Sequence, residues 1–269
     1  MELMAITVSY EHIKHLLHAV KFLHEARGLV FPEHDFDIVT TLHGLKRKLA
    51  RVPHQALPIT PEILRALFQK LDKNSLKDKA LWCSYLITFY CLFRKSNSVP
   101  KSLSKLNLKR TLLRKHILID VASNIVYVNV TFSKTNQFGN KNIVIPIPGN
   151  SDPALDPVRH LSELFSLVKC SEDAPAFSYG VNKFISYSLF TNMLKKLLSS
   201  SGYNPALFSG HSFRRGGATF LYRLGASILQ IQVSGDWVSQ CFARYLHVSE
   251  EERFHVQNLI SAAISSGAA

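Results

Sequence analysis

GHSFRRGGATFLYRLGASILQIQVSGDWVSQCFARY, residues 210–245, is the stretch from which the fold is read. His211 and Arg214 stand three residues apart in it. Gly235-Asp236-Trp237 follows, and Tyr245 lies eight residues past the Trp. Ser212 is placed to cap a helix that starts near Phe213. Phe213, Gly217, Phe220, Leu221 and Leu224 recur at i, i+4, i+7, i+8 and i+11, which predicts one buried helical face. His211 and Arg214 then fall on the first turn, where free backbone N–H groups and the helix dipole favour an anion. A planar, permanently charged Arg suits a phosphate at that place. Taken alone, the pair also reads as a capping histidine beside an ordinary surface arginine.

The rest of the chain narrows the choice. Its 269 residues suffice for one large domain or two smaller ones, and 46% hydrophobic content with mean hydropathy near zero describes a globular protein. A net charge of +13 points to a polyanionic partner, nucleic acid first and an anionic membrane surface second. The basic residues are spread along the chain, so folding must gather them. Cys83, Cys91, Cys170 and Cys241 show no metal-ligand spacing, which predicts free thiols in a reducing compartment. The start of the chain shows no secretion signal. The longest apolar run, Ala80–Phe93, has 14 residues with Ser and Thr inside it. It is too short to cross a bilayer and reads as a helix buried on most sides.

In chain order, residues 1–50 read as two helices. The second ends in Lys46, Arg47, Lys48 and Arg51, a cluster suited to phosphate contacts and equally to a solvated face. His12, His15 and His18 drift around the first helix and read as surface residues rather than metal ligands. Val52–Pro61 holds three prolines and reads as an interdomain linker. Thr60 then caps a helix opening at Pro61. The buried helix of residues 77–94 ends at Arg94, either snorkelling to the surface or reaching into a cleft. His116–Val121, Ile125–Phe132 and Ile143–Ile147 form a small antiparallel sheet of about three strands, with Lys134 near the tip of its second hairpin. Helices follow near Pro157–Val168 and Phe184–Ser200. A last amphipathic helix near Glu250–Ile264 places Val256, Leu259, Ile260 and Ala263 on one face, suited to packing on its own domain or on a neighbouring subunit.

The ordered set Arg94, Lys134, His211-x-x-Arg214, Trp237 and Tyr245 resembles the catalytic constellation of the tyrosine recombinase, or phage integrase, family. The segments FRKSN, SKT, GHSFRRGGAT and GDWVSQCFARYL look most like the recombinases of eukaryotic Crypton- and DIRS-type mobile elements. The resemblance covers about residues 60–265. It implies an α+β, mostly helical catalytic domain over residues 56–269, with residues 1–55 as part of a helical core-binding domain. Two places depart from the family pattern. Asn97 stands where a Glu is frequent, and the interval from Trp237 to Tyr245 is one residue shorter than in many members.

The resemblance also implies a chemistry and its partners. Arg94 and Arg214 would clamp the non-bridging oxygens of a DNA phosphodiester. Trp237 would offer its indole N–H, and His211 would donate a hydrogen bond or carry a proton. Tyr245 would attack the phosphorus to give a 3′-phosphotyrosine, and Lys134 would protonate the departing 5′ oxygen. A 5′ hydroxyl from another strand reverses the step, so neither metal nor other cofactor is expected. The expected partner is double-stranded DNA, held by four copies on two sites, with no membrane and no small-molecule substrate. A recombinase of a eukaryotic element would work in the nucleus, and one from another source in the cytoplasm with the DNA; secretion is not expected. A DNA-binding relative that no longer recombines, or one that relaxes DNA without choosing a sequence, would share the same motifs.

Overall fold

A helix that is apolar nearly all round must sit at the centre of a fold, and residues Leu76–Tyr90 (α4) do so. Every side chain from Ala80 to Phe89 is buried in the computed structural model, which describes residues 8–49, 55–102, 106–132, 143–237, 240–247 and 250–266. The chain divides into two compact units, Met1–Gln55 and Ala56–Ala269.

The first unit is a pair of helices, Tyr10–Glu25 (α1) and Phe36–Leu49 (α2). Ser9 caps α1 through the amide of His12. Only Ile13 and Leu45 are buried among the described residues of this unit. His12, His15 and His18 are exposed, as are Lys46, Arg47 and Lys48 in the last turn of α2. Arg51 lies outside the described residues.

In the second unit Pro61–Phe68 (α3) begins at the expected Thr60 cap with Pro at its first position. The segment before it differs from the expected linker. Leu57 and Ile59 donate backbone hydrogen bonds to the carbonyls of Leu207 and Ser212 at 2.7 and 2.9 Å, and Ile59 is fully buried. Pro58, between them, has no N–H to offer, and the amides on either side pair sideways with a neighbouring segment, so the stretch from residue 56 onward belongs to the second unit. Around α4 the Tyr85 ring stacks on Phe213 at 4.8 Å and meets Phe190 edge-on at 4.7 Å. The Trp82 indole and the Tyr85 hydroxyl donate to the carbonyls of Ala154 and Phe190. Both polar tips are therefore satisfied inside the core.

Helix α4 ends four residues before Arg94 rather than at it. Leu92 takes a left-handed φ of +50°, a break that no residue type announces, and Arg94 becomes the N-cap position of a new short helix, Lys95–Ser98 (α5). The sheet consists of Ile117–Asp120 (β1), Ile125–Val130 (β2) and Ile143–Pro148 (β3), antiparallel in that order. In β2, Val126, Val128 and Val130 are buried and alternate with half-buried neighbours. Pro146 and Pro148 sit in β3, an edge strand, where a missing N–H costs little. Lys134, with the rest of residues 133–142, lies outside the described residues.

Pro157–Leu167 (α6) packs beside α4. A two-stranded hairpin, Ser178–Gly180 (β4) with Lys183–Phe184 (β5), precedes Tyr187–Ser200 (α7). Then come Ser212–Arg223 (α8), Ile228–Ser234 (α9), a 3-10 turn at Gln240–Tyr245 and Glu250–Ser265 (α10). The side chains of Val256, Leu259, Ile260 and Ala263 on α10 are not among those described. No helix among the described residues is long and apolar enough to cross a membrane.

Candidate active site

Helix α8 carries the His-x-x-Arg motif, but its capping differs from expectation. His211 is the N-cap residue and makes no side-chain cap. The Ser212 hydroxyl instead accepts the amide of Ser209 at 2.9 Å, which tightens the turn before the helix. The expected apolar face is also revised. Residues Ser212 to Thr219 are all buried, while Phe220 and Leu224 are exposed. Burial on this helix follows depth, since its first two turns are inserted and its end emerges. Glycine makes the insertion possible. A Cβ at Gly216 would overlap the carbonyl of Ile59, and one at Gly217 would meet the Leu92 side chain and the Phe89 carbonyl.

Arg214 leaves the first turn into this packed space and is 3% exposed. Its terminal nitrogens donate to the carbonyl of Leu92 and, at 2.7 Å, to that of Gly235. The first carbonyl closes α4, and the second opens the Gly-Asp-Trp turn, where Asp236 has φ +48°. The guanidinium thus ties left-handed Leu92 to the residue before left-handed Asp236, from distant parts of the chain. It also lies 3.9 Å over the Trp237 ring. A Cβ at Gly235 would overlap that ring, so the turn needs glycine there. Leu92, Ala218, Ile231, Trp237 and Phe242 form a small apolar cluster of their own, against which Tyr245 and Leu246 pack.

Tyr245 completes the group. Its ring lies 5.3 Å from the Arg214 guanidinium and 5.4 Å from the Trp237 ring, within a single chain. Two arginine hydrogen bonds are spent on carbonyls, yet a guanidinium has five N–H groups. The Arg214 Nε and the Trp237 indole nitrogen are both buried with no hydrogen-bond partner among the described residues.

Electrostatics favour an anion here. Burial, then the neighbouring Arg94 cation, pull the Arg214 guanidinium down to about 10, while Tyr245 and Asp236 act in the other direction. Desolvation, followed by Arg94, Lys95 and Arg214, holds the His211 imidazole below its ordinary value. His211 is therefore neutral at neutral pH, able both to donate and to accept a hydrogen bond. Arg94, Asn97 and Arg214 line one cavity of about 380 Å3, together with Val130 and Ile143, the paired strand ends of β2 and β3. The Asn97 amide donates to the carbonyl of Phe132 at 3.3 Å and so fastens α5 to the end of the sheet. A Glu at this position would have no N–H to give.

Arg94, His211, Arg214, Trp237 and Tyr245 are thus assembled from three distant segments. Lys134 falls outside the described residues, and Lys46, Arg47 and Lys48 belong to the other unit. No group of His, Cys, Asp or Glu able to hold a metal occurs among the described residues. The motif reading missed Arg215 and Thr219, which hydrogen-bond the backbone around Tyr245. Their one signal is a second arginine directly after Arg214, ahead of the small residues Gly216, Gly217 and Ala218.

No protein-family model matches the sequence, and no curated protein matches it. Solved structures do. The Tn1549 transposon integrase in complex with transposon right end DNA superposes with a TM-score of 0.56 at 14% identity, over 95% of this chain and 81% of that one. The XerH site-specific recombinase, bound to palindromic difH substrate in a post-cleavage complex, gives 0.53 at 12% identity, and this chain spans 63% of its length against 83% of its own. XerA recombinase gives 0.50 at 15%, over 94% and 83%. The fold is that of the tyrosine recombinase catalytic domain.

Proposed function

We propose that this chain cleaves and rejoins DNA strands through a covalent 3′-phosphotyrosine formed on Tyr245. The observation that carries the reading is Tyr245 beside Arg214, with Arg94 lining the same cavity, on this fold. A phosphodiester bound there meets two guanidinium groups whose mutual repulsion it relieves. Their donors stabilise the charge that builds on the non-bridging oxygens as phosphorus becomes five-coordinate.

The Tyr245 oxygen attacks phosphorus, the bond to the 5′ oxygen breaks, and Lys134 gives that oxygen a proton. Neutral His211 is free to receive the phenol proton or to hold a phosphate oxygen. A 5′ hydroxyl then attacks the phosphotyrosine and restores the phenol. Because the bond energy is kept in the protein–DNA link, rejoining needs no other energy source.

The first unit is proposed as part of a core-binding domain whose Lys46, Arg47, Lys48 and Arg51 contact phosphates. The overlap with XerA and the Tn1549 integrase extends beyond the second unit alone. We assign the chain to recombinases of the Crypton and DIRS type, acting in the nucleus as four copies on two DNA sites joined through α10. If so, deleting residues 251–269 lowers the mass of the DNA complex in light scattering, and an unchanged mass counts against that assembly. A second reading, DNA binding without recombination, draws on the thin core of the first unit, with two buried apolar side chains among its described residues.

One experiment separates the two readings. The chain is mixed with a pool of nicked suicide duplexes of randomised sequence, and denaturation-resistant adducts are counted. The recombinase reading expects adducts that vanish in Tyr245→Phe while duplex binding persists. Binding with no adduct from either protein favours the second reading.

A further inference from the structure

Arg215 stands next to the proposed phosphate clamp but points elsewhere, and no motif assigns it a task. It is 8% exposed, and among the described residues no carboxylate forms an ion pair with its guanidinium. Its terminal nitrogens donate, each at 3.2 Å, to the carbonyls of Arg244 and Leu246. These are the residues on either side of Tyr245. Thr219 follows one turn later on the same face of α8 and is 2% exposed. Its hydroxyl donates to the Tyr245 carbonyl at 3.3 Å and accepts the His247 amide at 3.1 Å. Two side chains of one helix thereby hold four consecutive residues, 244–247, by their backbone.

We propose that Arg215, together with Thr219, is a positioning residue that fixes Tyr245 at the phosphate site of its own chain; the proposal rests on the reading of Tyr245 as nucleophile. Helix α8 then carries both halves of the geometry. Arg214 grips the phosphate on one side, and Arg215 and Thr219 hold the tyrosine segment about 100° around the helix. The separation between nucleophile and clamp is set by one rigid element. This matters because misplacement by about 1 Å is enough to slow a positioned reaction by orders of magnitude.

The choice of arginine fits the task. A buried cation without an anion is costly, and burial draws the Arg215 guanidinium below its usual value. What it supplies in return is a planar fork whose two N–H groups reach two carbonyls on opposite sides of one residue. A lysine ammonium cannot span them in that geometry. The contacts are all to backbone, so they fix where Tyr245 stands without engaging its hydroxyl.

The test uses the full chain and has two arms. In the first, hydrogen exchange is followed by mass spectrometry in the wild type, Arg215→Met, Arg215→Lys and Thr219→Val. Residues 240–247 should exchange about tenfold faster in Arg215→Met, with α4 and β2 unchanged and partial recovery in Arg215→Lys. Unchanged exchange at 240–247 overturns the proposal. If Arg215→Met loosens the whole unit, Thr219→Val decides, since it removes one hydroxyl and keeps the shape. Faster exchange confined to 240–247 supports the proposal, and no change overturns it.

In the second arm, the randomised suicide duplexes are used with the folded variants. Duplex affinity should stay within about twofold while adducts form about tenfold or more slowly, with the pH profile of adduct formation unmoved. Equal adduct rates overturn the positioning role. If the wild type forms no adduct on this pool, the recombinase reading fails, and the exchange arm still decides whether Arg215 holds the segment.

Discussion

Arg214 answers two demands with one guanidinium: it ties the end of α4 to the Gly-Asp-Trp turn and keeps further N–H groups for a ligand. Its neighbour His211 makes the site sensitive to pH. In an unfolded chain this imidazole titrates near 6.5. In the fold, desolvation and then Arg94, Lys95 and Arg214 hold it lower. Between the folded and unfolded values the unfolded chain binds more protons, so this group's contribution to stability rises with pH. It is complete above the unfolded value and is lost as pH falls through the folded one. A phosphate between the arginines reverses the field and raises the imidazole pKa. Binding then takes up a proton and strengthens with acidification over the same window. NMR titration of the His211 ring should give a midpoint below 6.5 in the free protein that moves upward with DNA. A midpoint at or above 6.5 without DNA contradicts this account of the site. At this scale the motif singled out Arg94, His211, Arg214, Trp237 and Tyr245, which the fold brings together. It was silent on Arg215, because two adjacent arginines look alike until the helix has a direction.

Helix α8 is the element on which the account turns, and its close approach to the extended segment at Ile59 is its most demanding contact. Alanine is about 1 kcal/mol better than glycine inside a helix, so Gly216→Ala would stabilise an exposed helix. Here the added methyl meets the Ile59 carbonyl, which is backbone and cannot rotate away. The variant should instead lose about 1–3 kcal/mol in urea unfolding, and a gain in stability would show that the approach is looser than described. Elements with strong periodicity or clear caps were legible, as for Thr60-Pro61 before α3 and the alternating valines of β2. Three features were not. The left-handed Leu92 breaks the long helix with no glycine to mark it. The β4–β5 hairpin is too short to show alternation. Leu57 and Ile59 look like linker until their amides find the carbonyls of Leu207 and Ser212, about 150 residues later in the chain.

Over the whole molecule the net charge of +13 is spread through the sequence, and folding decides which part of it would meet DNA in the proposed function. Each phosphate contact releases condensed counterions, so log affinity should fall with log salt by about 0.9 per contact on duplex DNA. Replacing Lys46, Arg47 and Lys48 with Gln should flatten that slope by up to about 2.7 and weaken binding alike for all sequences. An unchanged slope would remove α2 from the interface. Composition alone pointed to a polyanion; the fold is that of the tyrosine recombinase catalytic domain, and the proposed chemistry rests on one oxygen atom. The most direct measurement digests the covalent complex with trypsin and locates the nucleotide by mass spectrometry. Cleavage after Arg244 and Arg253 isolates the peptide YLHVSEEER, with Tyr245 at its head. The proposed chemistry leaves a nucleotide joined to this peptide through a 3′ phosphate, and no adduct in Tyr245→Phe. A nucleotide mapped to any other peptide, or an adduct that survives Tyr245→Phe, would contradict it.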